Sequence, residues 1–203
     1  MALGIINQDD VILSGGTASV TLAGGTASVT LAGGAANVTL LSGTADIGYV
    51  GSYGATPFQT PTVTSGTAYA SGENVGGLLT FADAARTSGG GGVITDFVIV
   101  DNSGQDPELE LWLFSETFTA GADKAAWAGG TADLQNCIGV LSTAQSSEGY
   151  IAAGTPSICT TQGLAKRYDV TATSMFGRLV NRTTTPTFTA TDNISVKVGL
   201  LQD

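Results

Sequence analysis

Near the amino end of the chain, small apolar residues alternate with hydroxyl-bearing ones in a repeating frame. Gly15 to Ala23 reads GGTASVTLA, and Gly24 to Ala32 repeats the same nine residues. Gly33 to Leu41 reads GGAANVTLL, and Ser42 to Val50 reads SGTADIGYV, a degraded copy. In the first copy Ala18, Val20 and Leu22 take one side, and Thr17, Ser19 and Thr21 take the other. That period of two predicts strands with one apolar and one hydroxyl face. Each Gly-Gly pair supplies a turn or bend. A strand of about six residues does not bury an apolar face alone. Stacked repeats do so together, as a flat meander, a coil of one chain, or strands interleaved between identical subunits. A flat meander would leave long edges open, so the intersubunit arrangement is the expectation.

Gly51 to Ala70, with Pro57 and Pro61, reads as an extended linker or a strand-bearing arm. The expected division is therefore a nonapeptide-repeat β arm or knob over 1–50, a linker over 51–70 and a body over 71–203. In the body, strands are predicted at Leu78 to Phe81, Val93 to Val100 and Glu108 to Phe114. In the last of these, Leu109, Leu111 and Leu113 alternate with Glu108, Glu110 and Trp112, the pattern of a half-buried strand. Trp112 and Phe114 make its second side a candidate contact surface. Further strands are predicted at Ile138 to Leu141, Tyr150 to Ala152, Tyr168 to Thr171, Phe176 to Val180, Thr187 to Ala190 and Ile194 to Leu201. Ala120 to Ala128 is the best helical candidate, with Asp133 to Asn136 a possible second helical turn. Turn signals recur about every ten residues, at Gly89 to Gly92 and Asp101 to Gly104 among others. The fold class is therefore all-β, a β-sandwich or jelly-roll-like body behind a short-strand repeat section.

Composition sharpens this picture. Charged residues make up 12% of the 203 positions while Gly contributes 29, so the polar surface is built from hydroxyls more than from charges. Lys and Glu, the usual helix-surface residues, are scarce, and Thr and Val favour strands. The formal net charge of −10 opposes binding to nucleic-acid phosphates and to anionic lipid. Neither nucleic acid nor membrane is expected as a partner. Met1 to Asp10 has no basic flank and only a short apolar stretch, so no secretory signal is expected. No apolar run approaches the ~20 residues of a membrane span.

The chemistry available is limited. There is no histidine, which removes the commonest general base and most zinc sites. Cys137 and Cys159 lack CxxC spacing and are expected as buried free thiols rather than a disulfide. The acidic pairs Glu108 with Glu110 and Asp101 with Asp106 have the residue type of glycosidase carboxylates. A wet strand face and a turn account for them more simply. The glycine run at Gly89 to Gly92 lacks the GK[ST] ending of a phosphate loop. A calcium-binding nonapeptide repeat is rejected, because only Asp46 is acidic where that motif needs Asp in each turn. Asp9 and Asp10 are read as an exposed acidic pair, and the sequons at Asn37, Asn181 and Asn193 as accidents of a Thr/Ser-rich chain. No catalytic, cofactor-binding or metal-binding residue is expected, and the chain is not expected to be an enzyme.

The order of landmarks in the body carries a resemblance. They are YASGENVGGLLTFADAAR (Tyr69 to Arg86), GGGGVITDFVIVD (Gly89 to Asp101), LELWLFSETFT (Leu109 to Thr119), DLQNCIGVL (Asp133 to Leu141) and FGRLVNRTTTPTFTATDNISVKVGLLQD (Phe176 to Asp203). Over about residues 69–203 the chain is similar to a family of small tailed-bacteriophage and prophage proteins found among the virion structural genes. The nonapeptide section is not part of the shared pattern. The resemblance implies a virion component on the capsid surface. Its first reading is a capsid decoration or cement protein, a homotrimer bound to the major capsid protein. The alternative is a tail or fibre receptor-binding component that recognises a host surface glycan.

Overall fold

The alternation in the body resolves into two antiparallel sheets. A computed structural model describes residues 52–182 and 185–203. The nine-residue repeats, Asp9, Asp10, Asn37 and Asp46 lie outside the described residues. The strands are β1 (Ser52–Ala55), β2 (Asn74–Phe81), β3 (Gly91–Asp101), β4 (Leu109–Phe114), β5 (Cys137–Ser142), β6 (Tyr150–Ala152), β7 (Ser157–Asp169), β8 (Met175–Asn181) and β9 (Ile194–Gln202). One short helix, α1 (Thr131–Gln135), precedes β5, where the second helical turn was expected. Among the described residues no helix is long and apolar enough to cross a membrane.

The five-stranded sheet runs β1-β9-β3-β7-β6, and the four-stranded sheet runs β2-β8-β4-β5. Their inner faces share one core. Ile94, Phe97 and Ile99 of β3 and Val196, Val198 and Leu200 of β9 belong to it from one side. Leu109, Leu111 and Leu113 of β4 with Met175 and Leu179 of β8 belong to it from the other. The all-β sandwich expected from the sequence is therefore present. At the start of β3 the glycine run allows close approach: a Cβ on Gly91 would sit 2.3 Å from the Tyr168 carbonyl oxygen.

Residues 52–70 are built into this body. β1 pairs with β9, and the following segment runs beside the chain from Pro186 to Val198. Thr56, Gln59, Val63, Gly66 and Tyr69 donate their amide hydrogens to Val198, Val196, Thr191, Phe188 and Pro186 in turn. Val63 and Tyr69 join the core, and the Tyr69 and Phe188 rings meet at 5.2 Å. The strand-bearing arm of the two readings is the one observed, and the sandwich begins ahead of Ser71.

Three local expectations change. Ala120 to Ala128 is not helical. Gly121 and Lys124 adopt φ of 38° and 61°, and Lys124 and Trp127 donate their amide hydrogens to Asn74 and Gly72 across the sheet edge. Thr187 to Ala190 is not a strand. The Asn193 carboxamide oxygen accepts the amide hydrogens of Thr189 and Ala190, each at 2.7 Å, in place of a ladder. Conversely, β7 runs from Ser157 to Asp169 where only its end was expected. Its Thr-rich alternation is interrupted by left-handed backbone at Gly163 and Ala165, opposite a register shift in β3 between Ile94 and Asp96.

Candidate functional site

Three of the four carboxylates, Asp101, Asp106 and Glu110, hold parts of the fold together. Asp101 is fully buried at the end of β3. It accepts hydrogen bonds from the amides of Ser103, Gln105 and Asp106 at 2.7–2.9 Å and from the Ser103 hydroxyl. Asp106 accepts from the Ser157 hydroxyl, tying that turn to β7. Glu110 is ion-paired with Arg182 at 2.5 Å and accepts from Trp112 Nε1 at 2.9 Å. Each oxygen so engaged holds a loop or strand in place. Cys137 and Cys159 are both free thiols, Cys159 buried and Cys137 half-buried, and burial pushes both thiol pKa values up. A raised pKa lowers thiolate content and with it reactivity. Asn181 and Asn193 are buried and hydrogen-bonded to the chain.

The outer face of the four-stranded sheet carries the more unusual chemistry. Trp112 of β4 lies opposite Arg178 of β8, and Val180 of β8 lies opposite Asn74 of β2. These positions alternate with the core-facing leucines, so they point away from the sandwich core. The chain from Ser115 to Gly130 folds back over them. Trp127 meets Trp112 at 5.9 Å, Phe114 at 6.1 Å and Phe118 at 5.8 Å, all edge-on. The second side of β4, expected as a contact surface, is thus covered by the protein's own aromatic flap.

Asp123 pins that flap. Its carboxylate accepts from the Thr64 amide and hydroxyl, from the Tyr69 hydroxyl and from the Gly76 amide, at 2.6–2.9 Å. Beneath the flap Arg178 is 0% exposed, with its guanidinium carbon 4.8 Å over the Trp127 ring. Its Nη2 donates to the Gly121 carbonyl at 3.2 Å. Nε and Nη1 are buried and have no hydrogen-bond partner among the described residues, and the same holds for Oδ1 of the 1%-exposed Asn74. Burial pulls the guanidinium pKa down to about 10, although the Asp123 charge acts in the opposite direction. Arg178, Asn74, Trp127, Thr119 and Asp133 line a half-open cavity of about 180 Å³. Sequence reasoning passed over Arg178. The signal was a lone cation among apolar residues in Met175–Val180 (MFGRLV), a residue type almost never fully buried without a partner.

The outer face of the five-stranded sheet lies uncovered at one end. Ile151 of the edge strand β6 pairs with Ile158 of β7, which pairs with Val100 of β3. Neighbouring Cys159 pairs with core residue Ile99, so this isoleucine row faces outward. Ile151 is 53% exposed and Ile158 39%. The next row is Thr160, Val98 and Lys197, with Lys197 Nζ 4.9 Å over the Phe58 ring.

Comparisons with protein-family models, with curated proteins and with solved structures returned no match to this chain.

Proposed function

We propose that the protein is a structural subunit of a tailed-phage virion. In this reading it is a capsid decoration or cement protein that joins with its own copies as a trimer and binds the major capsid protein on the assembled shell. The observation that carries the reading is the outward Ile151–Ile158–Val100 row, which reaches the open edge of a sheet. Edge strands are ordinarily blunted by charge, proline or a covering segment, and a contiguous apolar patch marks a contact site. The resemblance of residues 69–203 to virion proteins and the slight, hydroxyl-faced repeats near the amino end support the same role. Binding to the assembled shell alone stabilises that state by mass action.

The test is copy number and release. Particles purified from a host that carries the gene are expected to contain the protein in hundreds of copies. Shells stripped of it are expected to break at lower temperature and to recover on add-back. A second reading, a tail or fibre component that recognises a host glycan, draws on the polar, Trp-walled cavity at Arg178. It predicts about three to six copies at a vertex or tail. Complete absence from particles overturns both.

A further inference from the structure

The edge strands β2 and β6 are finished differently. At β2 the chain bonds its own edge: the Asn74 amide donates to the Ala125 carbonyl, and the Lys124 amide donates to Asn74. Beyond β6 (Tyr150–Ala152) there is no described strand, and every residue from Ile151 to Pro156 is exposed. The direction of its free groups follows from the hairpin that joins it to β7. The Ala153 amide donates to the Pro156 carbonyl at 2.7 Å, so those two residues form a hydrogen-bonded pair. Pair types alternate along an antiparallel ladder. Ile151 with Ile158 is therefore the next hydrogen-bonded pair, while Tyr150 with Cys159 and Ala152 with Ser157 are not. The backbone N–H and C=O groups of Tyr150 and Ala152 accordingly point to the open side. The Tyr150 ring stays on the inner side of the sheet, with its hydroxyl on the Pro107 carbonyl at 2.8 Å.

An edge of this kind accepts an added strand, and charge selects which strand. The chain carries a net charge of −10, so two copies repel across most of their surface. From Gly149 to Ala165, however, no residue is charged. β6 also holds neither Lys nor proline, the residues that blunt an edge. A second copy approaches here without opposing like charges. We propose that β6 pairs with β6 of a second copy about a two-fold axis at Ile151. Tyr150 of one copy then lies opposite Ala152 of the other, and each such pair exchanges both of its N–H···O bonds. The two Ile151 residues form the central non-hydrogen-bonded pair, where side chains come closest. The outward row runs on from Val100, Ile158 and Ile151 of one copy into the same residues of the other. A three-residue strand and a short aliphatic row bury less than the roughly 1,200 Å² of a stable interface. The contact is therefore weak between free chains and strengthens where neighbours are held side by side. A closed trimer is built from head-to-tail contacts, so a two-fold pair joins trimers to one another. The inference rests on the reading of this row as a contact site and names a second copy of the chain as its partner.

Sedimentation of the full chain with charges placed on the axis tests this. Ile151→Lys and Ile151→Glu each set like charges directly opposite one another. Each alone is expected to associate roughly tenfold more weakly than the parent, from a lost aliphatic pair and opposed charges. An equimolar mixture of the two is expected to associate again, a recovery that a merely structural role of Ile151 does not give. Thiol crosslinking checks the register. The Cα atoms of a non-hydrogen-bonded pair lie about 4.5 Å apart, within the span of a disulfide. Ile151→Cys, made with Cys137→Ser, is therefore expected to give a disulfide-linked dimer in a glutathione buffer. Ile158→Cys stands about 14 Å from its counterpart, three strand spacings away, and is expected to give none. Ala152→Pro removes an N–H that faces the open side and no bond to β7. It is expected to suppress Ile151→Cys crosslinking while melting close to the parent. The inference is overturned if the mixed charge variants associate no better than either alone, or if Ile158→Cys crosslinks as fast as Ile151→Cys. It is also overturned if the thiol of monomeric Ile151→Cys is shielded from a soluble reagent, which would place another segment of the chain on this edge. These outcomes are read on free protein, so they stand apart from copy number in particles, which tests the virion reading.

Discussion

The two outer faces of the sandwich meet the same problem in opposite ways. On the four-stranded sheet, Trp112 and Phe114 are roofed by the chain from Ser115 to Gly130, with Trp127 edge-on to both and Phe118 tilted against Phe114 at 4.1 Å. On the five-stranded sheet, Ile151 and Ile158 carry no such roof among the described residues and stand 53% and 39% exposed. Large aromatic side chains bury 150–250 Å² each, enough to hold an irregular flap without a ladder of its own. A row of aliphatic residues on a three-stranded corner offers less, and no described segment covers it. Apolar residues on the second side of a strand therefore mark a contact surface only where the chain does not return to cover them.

The largest expected effect on this contrast comes from opening the roof. Trp127→Ala removes the ring that meets Trp112, Phe114, Phe118 and Arg178 at once. It is expected to lower unfolding free energy by about 3 kcal/mol, measured by urea denaturation. A loss below about 1 kcal/mol would mean that the flap is not a structural cover.

Arg178→Met is expected to act in the other direction, raising stability at neutral pH by roughly 2 kcal/mol. An uncompensated buried cation is replaced by an apolar chain of similar length. A drop in stability of similar size would show that the guanidinium is held by more than the Gly121 carbonyl and the Trp127 face.

Alkaline pH separates the roof from the rest by sign. Burial raises the pKa values of Tyr69 and Tyr150 above the ordinary 10, with the Asp123 hydrogen bond adding to the shift at Tyr69. Their stabilisation is therefore fully present below pH 10 and is lost as pH rises above it. Each removes about 1 kcal/mol between pH 10 and 11. Arg178, whose folded pKa is depressed to about 10, favours the fold more as pH rises through the same window. It returns about 1 kcal/mol between pH 10 and 11. The fall in stability over that interval is expected to be about twice as steep in Arg178→Met as in the parent. Equal slopes would contradict the depressed arginine.

The smallest expected change in folding belongs to the open face. Ile151→Thr with Ile158→Thr is expected to shift unfolding free energy by less than about 0.5 kcal/mol per site, as at other exposed positions. It is nevertheless expected to weaken self-association or shell binding at least tenfold by sedimentation. Unchanged assembly would remove this row from the proposed interface.

Much of the scaffold was legible because period-two alternation reports directly on a half-buried strand. Leu109, Leu111 and Leu113 faced the core as their spacing required, and β9 spans the predicted closing strand. The strand β7 was largely missed because Gly163 and Ala165 break its alternation with a bulge. The supposed helix at Ala120 to Ala128 had the composition of one, yet Asp123 is claimed by Thr64, Tyr69 and Gly76, residues about fifty positions away in sequence.

By itself, the sequence determined the fold class. Side-chain alternation, glycine turns and a shortage of helix formers are local properties, and local properties choose strands over helices. It also left few groups able to carry acid–base chemistry, since composition is independent of folding. Only the tertiary structure decided which apolar second face is covered and which is open, and that Arg178 and Asn74, more than one hundred residues apart, line one cavity with part of their hydrogen-bonding capacity unmet among the described residues. Whether a side chain finds a partner depends on which distant segments pack against it, and no periodicity along a single chain encodes that.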